Sequence, residues 1–74
     1  MSRAGEMIRT ARRVQQRTTT EVAKSAGLEV GELCLIEAGI LTLWSSSAFS
    51  LARTLRLDVE SLCKAAAVDD SVRR

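Results

Sequence analysis

The chain contains no proline, no histidine and no tyrosine, and only one phenylalanine and one tryptophan. Without histidine it lacks the commonest general acid/base and the commonest transition-metal ligand. Its two cysteines, Cys34 and Cys63, have no CxxC partner, which removes the usual zinc spacing. Both read as small apolar filler in a reducing cytoplasm. No apolar run approaches the roughly 18 residues of a membrane span. The opening MSRAGEMIRTARR has no apolar segment of the signal-peptide kind, so the expected location is cytoplasmic. There is no Ser-Lys or Cys-His arrangement either. An enzyme is therefore not expected, and no cofactor is implied.

What is present suits one small folded domain. At 74 residues, 46% hydrophobic and 27% charged, the chain is too apolar for general disorder and too short for two cores. With so few aromatics the core must come from Leu, Ile, Val and Ala, and that composition favours helices.

Five helices can be placed. The first runs from about Ser2 to Gln15, with Ala4, Met7, Ile8 and Ala11 on one apolar stripe. The second begins at Thr18 or Thr19, where Thr18 and Glu21 have capping-box spacing, and Gly27 ends it. The third spans about Val30 to Ala38, with Leu33 and Ile36 inward and Gly39 as its stop. A connection, Ile40 to Trp44, follows. Ser45, Ser46 and Ser47 offer caps for a fourth helix through Leu55, with Leu51, Ala52 and Leu55 inward. Asp58 caps a fifth, with Val59, Leu62, Cys63 and Ala66 on one face. The domain is then residues 1–67, and residues 68–74 read as a frayed polar tail.

In order and spacing these segments resemble the Xre/Cro-like helix-turn-helix family over roughly residues 5 to 63. The resemblance is carried by Ile8 to Arg12, by Thr19 to Ala23 with Ala26-Gly27, and by Leu33, Ile36-Glu37 and Gly39. Ala52, Leu55, Leu57-Asp58 and Leu62 complete it. It implies an all-α, compact five-helix, lambda-repressor-like domain acting in transcriptional control. It also implies a structural ion pair between Arg12 and Glu37, and a possible homodimer through the last helix.

The helix that would read DNA departs from that family. Its outward positions, Glu29, Val30, Gly31, Glu32, Cys34 and Leu35, offer few donors matching the major groove. No Lys or Arg occurs between Lys24 and Arg53, whereas Glu29, Glu32 and Glu37 do. DNA affinity comes largely from neutralised phosphates. The net charge of +2 thus hides a basic N-terminal third and an acidic, apolar middle.

Two expectations follow. In the first, Val30, Glu32, Leu35, Ile40, Leu41 and Trp44 bind a transcription-related protein, an activator or a component of RNA polymerase, with some of Ile40 to Trp44 packed inward. In the second, the domain is a dimeric operator-binding repressor. Arg9, Arg13, Arg17 and Lys24 then hold phosphates, and Thr19, Thr20 and Glu32 touch bases.

Overall fold

Three of the helices start at a residue whose side chain satisfies a free N–H group, and the one that follows Glu29 does not. In the computed structural model, which describes residues 2–41, 43 and 45–73, α1 covers Arg3–Val14 and α2 covers Thr19–Ala26. The helices α3, α4 and α5 cover Val30–Glu37, Ser45–Leu55 and Val59–Arg73. Ser2 caps α1 by accepting from the Gly5 N–H at 2.8 Å. Thr18 and Glu21 form the full reciprocal capping box on α2. Asp58 caps α5, accepting from the Ser61 N–H at 3.0 Å. No strand occurs among the described residues, so the domain is all-α.

The helix ends are less uniform. Gly27 closes α2 in the left-handed conformation, φ 73°, which glycine adopts without a Cβ clash. The chain makes the same turn after α1 and after α4 with Gln16 (φ 54°) and Arg56 (φ 58°). Neighbouring side chains then finish the end of α4. The Gln15 amide donates to the Leu55 carbonyl at 2.6 Å, and the Arg17 guanidinium donates to the Thr54 carbonyl at 2.7 Å.

One core joins all five helices. Ile8, Val22, Leu33, Leu51, Leu55 and Leu62 are its largest fully buried side chains. Leu43 adds to it from the connection after α3, and Leu41 packs on its margin.

Residues 68–73, read from the sequence as a tail, lie within α5. The Asp69 carboxylate accepts from the backbone N–H of Arg3 at 2.9 Å and of Ala4 at 3.1 Å. Two free amides of the α1 N-terminus are satisfied from the far end of the chain.

Candidate interaction face on α3

The turn from α2 into α3 is Gly27-Leu28-Glu29. Leu28 is half-buried against the core, and its N–H donates back to the Ala23 carbonyl at 2.8 Å. This fixes the start of α3, whose inner side is Leu33, Ile36 and Glu37. The outer side is the unusual one. Gly31, Cys34, Leu35 and Ala38 are all exposed, at the 3, 4 and 7 spacing that forms one stripe. Val30 is exposed at one margin, and Leu35 is 41% and Ile40 70% exposed. Glu29 and Glu32 are the exposed charges beside them.

A helix that is apolar all round is ordinarily covered on both sides. Here the core covers one side of α3, and among the described residues Val30, Leu35 and Ile40 on the other side stay exposed. Fully burying an exposed Leu or Ile side chain is worth about 1.5–3 kcal/mol, and covering Leu35 or Ile40 gains the share of that still exposed.

An ion-pair network fixes α3 to α1. The Arg12 Nε and one terminal nitrogen each lie 3.0 Å from a different oxygen of Glu37. The third guanidinium nitrogen donates to the Arg17 carbonyl at 3.2 Å. Glu37 is only 6% exposed. Its hydrogen bonds raise the Arg12 pKa above the ordinary guanidinium value, more than burial lowers it. Arg9 approaches the same carboxylate at 3.7 Å and donates to the Glu37 backbone carbonyl at 3.4 Å. Charge-assisted forks of this sort are strong and directional.

The two helices also meet backbone to backbone. A Cβ placed on Gly5 would lie 2.6 Å from the carbonyl oxygens of both Ile36 and Glu37. Gly5 is therefore what lets α1 reach the end of α3. Sequence reasoning missed it, because a glycine one turn into a helix has no spacing that distinguishes it.

The expected contact residues divide accordingly. Val30, Glu32, Leu35 and Ile40 all lie outward. Leu41 is half-buried against the core, where the chain turns inward toward Leu43. Trp44 lies outside the described residues. Among the expected phosphate ligands, Arg9 is drawn to Glu37 and Arg17 to Thr54, with a further contact to the Ser25 hydroxyl at 3.4 Å. Arg13, Lys24 and Thr20 are exposed, and Thr19 is half-buried.

A second exposed face was not singled out in the sequence. On α4, Ser46, Phe49 and Arg53 point away from the buried Ala48, Leu51, Ala52 and Leu55, and Arg56 is exposed just beyond the helix. The signal was available as the complement of the inward spacing. Elsewhere, an open cleft between α1 and α5 is lined by side chains of mixed charge, including Arg3, Glu6 and Lys64 around Met7 and Val68. Both cysteines are free thiols, Cys34 on the outer stripe and Cys63 half-buried. No described helix is long and apolar enough to cross a membrane.

No family model matches the chain, and no curated protein or solved structure matches it either.

Proposed function

We propose that this chain is a small helix-turn-helix transcriptional regulator that acts by binding protein through α3 and the residues just after it. The observation that carries this reading is the outer face of α3, which presents Gly31, Cys34, Leu35 and Ala38 with Glu29 and Glu32 and no cation. Exposed apolar patches with a polar rim mark protein interfaces. The short turn between α2 and α3, closed by left-handed Gly27, and the Arg12–Glu37 pair support the likeness to the Xre/Cro-like family. The partner is an activator or polymerase component whose contact surface is apolar and rimmed with Lys or Arg, which Glu29 and Glu32 would select.

Operator binding is the second reading. The exposure of Arg13, Lys24 and Thr20 favours it. Against it, Arg9 and Arg17 are held by internal contacts.

A salt-titrated binding assay on mixed genomic DNA separates the two. Absence of binding at about 50 mM salt is the expected result. Sub-micromolar binding that weakens steeply with salt would overturn the protein-only reading.

A further inference from the structure

The chain carries two exposed faces of opposite character. The outer face of α3 is apolar with Glu29 and Glu32, and no cation occurs in the sequence from residue 25 to 52. The outer face of α4 is Phe49, 58% exposed, followed by Arg53 and the exposed Arg56. No anion occurs in the sequence from residue 38 to 57. Each face therefore lacks the charge that the other supplies.

We infer that the α4 face of one copy docks on the α3 face of a second copy, with Phe49 over the Gly31–Leu35 stripe and Arg53 and Arg56 against Glu29 and Glu32. The inference rests on reading α3 as a protein-binding face, and it names a second copy as an occupant of that face. Three features carry it. A ring needs room to approach the helix, and Gly31 leaves it: the position carries no side chain and the space beside it is open. Charge complementarity sets the orientation, because α3 offers only carboxylates and α4 only guanidinium groups. Finally, α3 and α4 do not rank among the closely packed helix pairs of the described residues: α3 lies against α1 and α2, and α4 against α2, α5 and α1. The contact thus forms between copies rather than within one.

Because the two patches differ, the contact is heterologous. A docked pair keeps one open α3 face and one open α4 face, so association grows into a closed ring or a longer array. A copy docked in this way masks the α3 face from other partners.

Sedimentation equilibrium on the purified full chain tests this, using Leu35→Glu to spoil the α3 face and Phe49→Glu to spoil the α4 face. Both residues are exposed, and circular dichroism checks that the variants fold. Between about 10 and 500 μM, the range in which weak contacts populate, the wild-type mass should rise to at least twice the 8.1 kDa of one chain. Each variant alone should stay monomeric. The two variants mixed should form a one-to-one dimer, since each supplies the face the other lacks. Arg53→Glu should weaken association, and Glu32→Arg combined with it should restore part of the loss.

A wild-type chain that stays monomeric throughout would overturn the inference. So would self-association that survives Phe49→Glu. Neither result touches the reading of α3 as a protein-binding face, which the DNA titration tests separately.

Discussion

Arg12 on α1 holds both carboxylate oxygens of Glu37 at the end of α3, at 3.0 Å each, across 25 residues of chain. The fork ties the last residue of α3 to α1. Breaking a buried pair leaves one charge without a partner, which costs about 3–5 kcal/mol, whereas replacing both partners by apolar groups can be nearly neutral. Total stability at this length is about 4–11 kcal/mol, so a single break is severe.

Arg12→Met and Glu37→Met should each lower stability by about 3–5 kcal/mol, and the double variant should recover most of the loss. Urea unfolding followed by circular dichroism measures all three. A double variant losing the sum of the single costs would show that the two residues act independently.

Gly5→Ala should destabilise by roughly 1–3 kcal/mol, the usual cost of overpacking. Helix propensity alone predicts the reverse, because alanine outranks glycine by about 1 kcal/mol in a helix. The steric term should prevail, since the new Cβ meets two backbone carbonyls at 2.6 Å and neither can rotate away. A higher melting temperature for Gly5→Ala would show that α1 and α3 can separate without penalty.

Opposite signs are expected at two left-handed positions. Gln16→Gly should stabilise by about 0.5–1 kcal/mol, because a side chain at positive φ is strained. Gly27→Ala should cost about 1 kcal/mol, although a Cβ there meets nothing within 4 Å. Thermal unfolding of both variants provides the comparison, and a shift of the same sign in both would be inconsistent with the backbone explanation.

Asp69→Ala should cost about 1 kcal/mol, as loss of an N-cap does, and should speed amide exchange at Arg3 and Ala4. The amides themselves report the effect. Unchanged exchange at both positions would mean that the ends of the chain are not joined in solution.

Asp58 should show an acid-side signature. Hydrogen bonds from the Ser61 hydroxyl and the Ser61 N–H hold its carboxyl below the usual carboxylate range, with a further small contribution from Lys64. A pKa depressed on folding favours the fold fully above the unfolded-chain value. That contribution is lost as pH falls through the lower folded value. Carboxyl-detected NMR titration should find Asp58 below the ordinary value, and Ser61→Ala should move it back up. An unchanged Asp58 titration in Ser61→Ala would remove the hydrogen-bond explanation.

Much of the architecture is legible in the sequence. The inward spacing of Leu33 and Ile36, or of Leu51, Ala52 and Leu55, is a local pattern that any helix must obey. The Thr18–Glu21 box and left-handed Gly27 are decided within one turn. The missing cations of α3 could also be read directly, because charge is a property of residue type. Less could be read where two distant segments meet. Leu41 and Ile40 are adjacent and similarly apolar, yet one lies on the core and the other is 70% exposed.

Residue order by itself determined where the helices start, most of the core and the acidic, apolar character of α3, since these follow from short-range spacing and side-chain chemistry. Only the three-dimensional packing decided that Gly5 lets two backbones touch, that Asp69 closes α1, and that Phe49 and Arg53 form an outward face. Those facts depend on which remote surfaces come together, and no periodicity within a single helix carries that information.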